Sequence, residues 1–322
     1  MSDETTAAYG QPGRVTPLAD GLWMIDLGFQ NREGVIAAYL IREGDGLALI
    51  ETGPTTTLDR LVAGIRTAGF EPAALRQILV THIHLDHSGG AGVLLRQAPE
   101  AIVRVHPIGA PHLIDPARLI ASAARLYGDR MDALWGEVAP VPAERIEPLD
   151  DAMPFAVGGR VLTALYTPGH ASHHVTYWDP EWSIAFTGDV GGVRMAGTSY
   201  VCPPAPPPEL NPDAWAVSVD KMRALRPERL CLTHGGPFAD AEAHLAQIDP
   251  NLADLRALAL RALRAGAEPA ALTAAIHDLM AARIGPGDPE ALTNLEWATP
   301  SYLASAGLTR LLVKRGEVPA PA

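Results

Sequence analysis

The chain contains few of the residues that secreted, disulfide-stabilised proteins depend on. Among its 322 residues are only two cysteines, Cys202 and Cys231, which are too few for a disulfide framework. The printed start, Met1 to Glu4, carries neither the basic flank nor the apolar stretch of a secretory leader. These features predict a protein of the reducing cytoplasm.

Long hydrophobic runs and an excess of positive charge are also missing. Apolar runs such as Val35 to Ile41 fall far short of the ~20 residues that a membrane-spanning helix needs, so no membrane association is predicted. Lys and Arg total 25 against 37 Asp and Glu, a formal charge of −12. This charge disfavours a nonspecific grip on a phosphate backbone, so a nucleic-acid partner is not expected.

What is present is an ordinary globular composition with 48% hydrophobic residues, enough to fold without staples. Short apolar runs bounded by turn residues predict strands, and a 3.6-residue period predicts a surface helix from about Leu58 to Arg66. A helical insertion is predicted from about His112 to Trp135. The predicted strands are at 21–28, 35–42, 46–51, 75–80, 101–106, 160–166, 175–178, 183–186 and 229–233.

Two later segments stand apart from this alternation. Five of the six residues from Pro203 to Pro208 are prolines without an amide hydrogen, which predicts a stiff loop. From about Ala239 the apolar pattern is helical throughout. We therefore predict one domain at 1–240 and a C-terminal helical region at 241–322, which either covers its own core or forms a homodimer.

A dense group of metal-binding side chains follows the strand predicted at 75–80. The run from His82 to His87 holds three imidazoles and a carboxylate within six residues. Such nitrogen and oxygen donors are what a borderline divalent cation prefers. Isolated histidines in a polar turn are usually solvated, but four donors at this spacing predict a metal site.

Three further polar residues follow predicted strands and adjoin glycine. They are His170, Asp189 and His234. Small neighbours at a strand end let a side chain project from a rigid scaffold while a ligand approaches closely. Each one alone is typical of an ordinary turn residue, so their meaning depends on the complete set.

Four short motifs in this order resemble the metallo-β-lactamase superfamily, over residues from about 20 to 240. The motifs are Thr81-His82-x-His84-x-Asp86-His87, Thr167-Pro168-Gly169-His170, Thr187-Gly188-Asp189 and Thr233-His234-Gly235. The resemblance implies an α/β fold, a four-layer αββα sandwich with the metal site along one edge, here followed by a C-terminal helical appendage.

The family pattern also implies the ligands of a dinuclear site. His82, His84 and His170 would hold the first ion, and Asp86, His87 and His234 the second. Asp189 would bridge both ions, which are expected to be divalent transition metals, most simply Zn²⁺, with Fe or Mn as alternatives.

Two such ions polarising one water would lower its pKa to roughly 7 and supply a hydroxide nucleophile. Asp86 is the candidate catalytic residue, because its carboxylate can orient the nucleophile and pass a proton to the leaving group.

Four residues outside the ligand set are considered for supporting or substrate-binding roles. Glu51 stands where the family usually has Asp, as a carboxylate that orients ligating imidazoles. His174 is the second candidate for orienting the ligating imidazoles. Its neighbour His173 either faces the pocket or has a structural role. Arg194 either anchors a substrate carboxylate or phosphate, or forms a surface salt bridge.

The resemblance predicts a hydrolase acting on a small ester, lactone or thioester through the metal-bridged hydroxide. The stretch after Asp189 lacks the Gly-Cys-Gly-Arg-like sequence typical of glyoxalase II, so glutathione-derived substrates lose support. The alternatives are a phosphodiester or phosphotriester hydrolase on the same site, and a non-catalytic metal-binding or nucleic-acid-interacting protein.

Overall fold

The computed structural model describes residues 13–44, 46–285 and 288–320. The printed start, Met1 to Glu4, on which the expectation about a leader depends, lies outside these residues. Within the described ranges, no helix is both long enough and apolar enough to cross a membrane.

The described residues form two mixed β-sheets. The first sheet has seven strands in the order β1-β2-β3-β4-β5-β6-β7, and the second has six in the order β13-β12-β11-β10-β9-β8. The strands are β1 (Val15–Ala19), β2 (Leu22–Asp26), β3 (Ala37–Glu43), β4 (Gly46–Ile50), β5 (Leu75–Leu79), β6 (Ile102–Val105), β7 (Ile146–Pro148), β8 (Met153–Val157), β9 (Arg160–Tyr166), β10 (Val175–Asp179), β11 (Ile184–Phe186), β12 (Arg229–Cys231) and β13 (Pro237–Phe238).

Helices occur in three stretches, between the strands of the first sheet, after β11 of the second sheet, and in the C-terminal region. They are α1 (Leu58–Thr67), α2 (Leu85–Ser88), α3 (Ala91–Leu94), α4 (Ala110–Ile114), α5 (Ala117–Tyr127), α6 (Met131–Trp135), α7 (Pro212–Ala224), α8 (Ala241–Leu245), α9 (Ile248–Arg264), α10 (Pro269–Ile284), α11 (Pro289–Ala298) and α12 (Ser301–Lys314). The predicted α/β class with a C-terminal helical region is confirmed.

The first sheet changes from antiparallel to parallel pairing at β4. As a result, the residues that follow β4 and β5 lie at the same edge of the sheet. Strands β1 to β4 form an antiparallel meander, whereas β4, β5, β6 and β7 pair in parallel. Parallel strands end at the same edge of a sheet. Glu51 therefore follows β4 at the edge where the segment from Thr81 follows β5.

Four strands were not predicted from the sequence, and each contains proline. β1 contains Pro17, β7 contains Pro148, β8 contains Pro154 and β13 contains Pro237. These four are the outer strands of the two sheets. An outer strand tolerates a missing amide hydrogen that a central strand does not, so proline hid these strands from the sequence pattern without preventing them.

A second difference concerns the segment after the histidine block. The sequence predicts a glycine-rich turn at Ser88 to Gly90 that opens one helix to about Gln97, but the structure has two single turns, α2 before the glycines and α3 after them. A Cβ at Gly89 would lie 2.3 Å from the carbonyl oxygen of Leu85, and one at Gly92 would lie 2.2 Å from that of Ala139. The regular pattern stops at Gly90, whose amide donates to the carbonyl of Gly53 at 2.8 Å instead of to the preceding turn of the chain.

The chain forms two compact units. The first comprises Met1–Tyr166 and Tyr177–Trp182, and the second comprises Thr167–Thr176 and Ser183–Ala322. These units are not the two regions predicted from the sequence, whose boundary at residue 240 stays a prediction. Histidines and carboxylates of the predicted site occur in both units.

Candidate metal centre

The donors of the first unit lie on the turn that joins β5 to α2. β5 is a buried strand whose last two residues are inaccessible, so the backbone entering the turn is fixed by the core. Helix α2 begins at Leu85, which places Asp86 and His87 in its single turn. His82 and His87 are fully buried, and their ring centroids lie 3.9 Å apart.

These first-unit side chains converge in pairs. Nε2 of His82 lies 3.0 Å from Nδ1 of His84. The potential ligand atoms of Asp86 and His87 lie within 4.8 Å of each other, as do those of His82 and His84. The predicted block therefore presents its four donors as two close pairs.

Glu51 holds this block by accepting hydrogen bonds from both Thr81 and His87. Its Oε1 accepts from Nδ1 of His87 at 3.0 Å and from the Thr81 hydroxyl at 2.5 Å. Because a carboxylate accepts, the first contact places a proton on Nδ1 of His87 and directs the Nε2 lone pair away from Glu51. The sequence predicted this orienting role for Glu51.

Thr81 extends the influence of Glu51 to a second imidazole, and sequence reasoning gave it no role of its own. Its hydroxyl hydrogen goes to Glu51, so its oxygen can accept from Nδ1 of His82 at 3.0 Å. One buried carboxylate thus orients His87 directly and His82 through Thr81. The available signal was a hydroxyl residue directly preceding His82, a predicted ligand.

The backbone that carries the Val80–Thr81 peptide is tied to the second sheet within the first unit. The Tyr177 hydroxyl of β10 donates to the carbonyl of Val80 at 2.9 Å. Burial raises the pKa of Tyr177 well above its ordinary value, so the phenol remains a neutral donor. This contact fixes the chain just after β5, one residue before Thr81.

The donors of the second unit are brought together from three separate turns. His170 lies in the loop before β10, Asp189 in a single 3₁₀ turn after β11, and His234 beyond β12. Oδ2 of Asp189 lies 3.2 Å from Nε2 of His170, and Oδ1 lies 3.3 Å from Nε2 of His234. All three side chains are buried. Asp189 thus turns one carboxylate oxygen toward each imidazole, which is the arrangement a bridging ligand requires.

Support for the second-unit donors comes from a backbone carbonyl. Nδ1 of His170 donates to the carbonyl of Pro204 at 3.0 Å, since a carbonyl can only accept. The proton on Nδ1 leaves the Nε2 lone pair facing Asp189. The sequence marked the proline-rich segment as a stiff loop but provided no signal that one of its carbonyls supports a donor.

His174 supports the turn that carries Asp189. Its Nδ1 lies 2.9 Å from the Thr167 hydroxyl, and its Nε2 accepts from the Val190 amide at 3.4 Å. The Trp215 indole donates to the Val190 carbonyl at 2.9 Å. The residue next to Asp189 is therefore held on both sides. His173 is also buried, and both alternatives for that residue stay predictions.

Arg194 is occupied by partners inside the second unit. Its guanidinium contacts both carboxylate oxygens of Asp240 at 2.8 Å, donates to the carbonyl of Thr198 at 2.8 Å, and lies over the Phe238 ring. Of the two sequence-based alternatives, these contacts favour the salt bridge. Arg194 helps to lower the pKa of Asp240 against the opposing effect of desolvation, which keeps that carboxylate ionised.

The chemistry of these residues fits divalent transition-metal ions. Buried imidazoles with one ring nitrogen held by a carboxylate or carbonyl are typical of metal-ligating histidines. Carboxylate and imidazole donors suit Zn²⁺ and related borderline ions. Each unit contains imidazole and carboxylate donors of this kind, and hydrogen bonds within the unit orient its imidazoles.

Known proteins with similar sequences belong to the family that the motifs of this chain resemble. A profile described as the metallo-beta-lactamase superfamily matches residues 31–234. A metallo-beta-lactamase fold-containing protein of Sulfurisphaera tokodaii is 29% identical over 179 residues, 54% of this chain and 66% of the relative. An atrochrysone carboxyl ACP thioesterase of Aspergillus fumigatus is 26% identical over 64% of this chain and 39% of the relative. The chain thus spans less than two thirds of the length of both relatives.

Other similarities cover more of the chain. A hydroxyacylglutathione hydrolase of Cupriavidus taiwanensis is 27% identical over 74% of this chain and 78% of the relative. The crystal structure of a metallo-beta-lactamase family protein from Thermus thermophilus has a TM-score of 0.70 at 20% identity, covering 93% of this chain and 95% of that one. At this identity the structural likeness concerns the fold. Since the profile spans more than half of the residues and all seven predicted ligands, the chain belongs to the metallo-β-lactamase superfamily.

Proposed function

We propose that this protein is a metal-dependent hydrolase of small esters, lactones or thioesters. In the proposed site, two divalent ions, most simply Zn²⁺, take their ligands according to the family pattern. His82, His84 and His170 serve one ion, Asp86, His87 and His234 serve the other, and Asp189 bridges them. This assignment follows the family motifs.

The observation that carries the proposal is the hydrogen bonding on the far side of the imidazoles. Glu51 accepts from Nδ1 of His87, and the Pro204 carbonyl accepts from Nδ1 of His170. Such contacts fix the tautomer and turn each Nε2 lone pair outward.

Bound divalent ions would supply Lewis acidity and lower the pKa of a coordinated water toward 7. The chain's own part is to hold seven donors in place before substrate arrives. Asp86 is the candidate catalytic residue because its side chain is 22% exposed whereas that of His87 is fully buried. A partly exposed carboxylate can accept a proton from the nucleophilic water and deliver it to the leaving group.

An acyl substrate is supported by the names of two relatives, a thioesterase and a hydroxyacylglutathione hydrolase. Acyl transfer to water needs an activated nucleophile and a stabilised oxyanion, and a metal centre supplies both without a serine or cysteine. The two cysteines are buried, and burial raises the pKa of Cys202 to about 12, so a thiolate at this position is disfavoured as a nucleophile.

The test is a panel of lactones, aryl esters, thioesters, β-lactams and phosphodiesters assayed with zinc-loaded and chelated protein. We expect acyl substrates to turn over, chelation to abolish the activity, and added metal to restore it. His84→Ala and Asp86→Ala should fold but remain inactive. Turnover of phosphodiesters alone would favour the phosphoester alternative, and no turnover in fully loaded protein would favour the non-catalytic one.

A further inference from the structure

The position of the proline loop, residues Pro203 to Pro208, depends on contacts from neighbouring segments. Five of its six residues lack an amide hydrogen, so the loop can donate few backbone hydrogen bonds. Pro203, Pro204 and Ala205 are nevertheless buried. The position of these residues must therefore be set by what donates to the loop or packs against it.

On one side, the proline loop and the residues after it hold the segment that carries a proposed metal ligand. The Pro204 carbonyl accepts from Nδ1 of His170 at 3.0 Å. A little further along the chain, the amide of Asn211 donates to the carbonyl of Gly169 at 2.8 Å. The loop thus fixes the ring of His170, and the residues after it fix the backbone just before that histidine.

On its other side, the proline loop meets helix α12 of the C-terminal region. A Cβ on Gly307 would lie 2.0 Å from the carbonyl oxygen of Ala205 and 2.8 Å from the carbonyl carbon of Pro206. Arg310, one turn later on the helix, donates through Nε to the carbonyl of Pro208 at 3.3 Å. The helix therefore approaches the backbone of the loop directly.

Glycine at position 307 destabilises helix α12 relative to alanine. The close approach of the helix to the proline loop explains why glycine is nevertheless found there. Glycine inside a helix is less favourable than alanine, because it loses more backbone freedom on folding. Gly307 is buried and lies in the middle of the fourteen-residue helix α12, where no turn or cap calls for glycine. The space between α12 and the proline loop accounts for the absence of a side chain.

We propose that Gly307 is a positioning residue for the metal ligand His170, acting through the Ala205 and Pro204 carbonyls of the proline loop. The C-terminal helical region then takes part in metal binding although it contains none of the proposed ligands. This inference rests on the assignment of His170 in the proposed function.

A side chain at position 307 would displace the proline loop. A methyl group at position 307 needs about an ångström or more of additional space, because ordinary contacts to such an oxygen exceed 3 Å. The Ala205 carbonyl is one residue from Pro204, so a shift of this size breaks or bends a 3.0 Å hydrogen bond. Nδ1 of His170 then loses its acceptor, and the tautomer with a free Nε2 lone pair is no longer favoured.

The experiment measures zinc affinity of the full-length protein by competition with a chromophoric chelator. We expect Gly307→Ala to weaken zinc binding by about 10-fold or more, the range for lost supporting contacts of metal ligands. The control Ala306→Val adds volume to the adjacent, exposed position of the same helix and should leave the affinity unchanged. Nitrogen-15 NMR of the imidazoles should show a second tautomer of His170 only in Gly307→Ala.

Two additional variants test the contact between α12 and the loop separately from the ligand assignment of His170. Arg310→Gln removes the contact with Pro208 without adding volume, and we expect a smaller weakening of zinc binding even if Gly307→Ala fails to fold. His170→Ala tests the ligand assignment separately. If His170→Ala weakens binding but Gly307→Ala and Arg310→Gln bind zinc as tightly as the wild type, the positioning role is wrong while the proposed function stands. If His170→Ala has no effect, both are wrong.

Discussion

The two units solve the same problem, orienting imidazoles for a cation, in different ways. In the first unit, the donors lie within six consecutive residues and one side chain, Glu51, orients two of them. In the second unit, the donors are spread from His170 to His234 and are held by a backbone carbonyl and by neighbouring turns. The first arrangement depends on one buried carboxylate, and the second depends on packing.

This difference predicts different responses to mutation. A single substitution at Glu51 disturbs His87 and, through Thr81, His82. The support of the second unit is distributed over a loop, a helix and the residues around Val190. Damage to any one of these contacts should therefore be felt mainly by one donor.

The largest effect is expected from Asp189→Ala, which removes the side chain that faces two imidazoles of the second unit. We expect the loss in metal affinity to exceed the roughly 100-fold upper range for supporting residues, and hydrolysis to fall to background. Elemental analysis and the substrate panel measure this. A variant that still binds two ions and keeps wild-type turnover would contradict the bridging role.

Glu51→Gln should have the next largest effect. Replacing the carboxylate by an amide weakens the hydrogen bonds from His87 and Thr81, and we expect about 10- to 100-fold lower zinc affinity. Chelator competition on the folded protein measures the change. Glu51→Asp is the matched control, because it keeps the charge but shortens the side chain by one methylene, and it should lose less. Equal losses in the two variants would show that charge is not what matters.

A pH dependence should follow from His244, whose Nε2 donates to the Gly191 carbonyl at 2.7 Å. Burial lowers its pKa from 6.5 to about 4, so the unfolded chain takes up a proton that the folded chain refuses between these values. The free energy of unfolding should therefore fall as pH decreases from about 6.5 to 4, by up to about 3 kcal/mol from this residue.

Denaturant unfolding of metal-free protein across this pH range measures the effect. His244→Gln retains an amide donor for Gly191 but does not titrate, so its stability should fall less steeply than that of the wild type. The difference between the two curves isolates His244 from the other histidines. Parallel curves would contradict the shift assigned to it.

The smallest effect is expected from Arg194→Gln. The contact with Asp240 is partly exposed, and pairs of this kind are worth about 1 kcal/mol or less. We expect slightly lower thermal stability with an unchanged KM for acyl substrates. A several-fold increase in KM with unchanged kcat would instead support the substrate-anchoring alternative for Arg194.

Much of the architecture could be predicted from the sequence because its signals are local. The stripe Leu58, Leu61, Val62 and Ile65 is buried in α1 as its 3.6-residue period indicates. The compact block from His82 to His87 is equally easy to recognise, because its donors are close together in the sequence. The proline-containing outer strands were missed, since proline argues against a strand and only the finished sheet shows which strands are outermost.

The supporting contacts could be predicted only in part. Glu51 was identified because the family motif has a carboxylate there, whereas the roles of Thr81 and of the Pro204 carbonyl were not. A backbone carbonyl leaves no trace in the residue type, and the close approach of Gly307 to the proline loop joins segments about a hundred positions apart. The ligand assignments, the homodimer and the cytoplasmic location stay predictions.

The central claim is that the oriented donors of this chain hold two divalent ions. The most direct test is the metal content of the purified full-length protein after loading with zinc and removal of excess, measured by elemental analysis. The account predicts two ions per chain in the wild type and a loss of bound metal in Asp189→Ala. A folded wild-type protein that never binds more than one ion would contradict it.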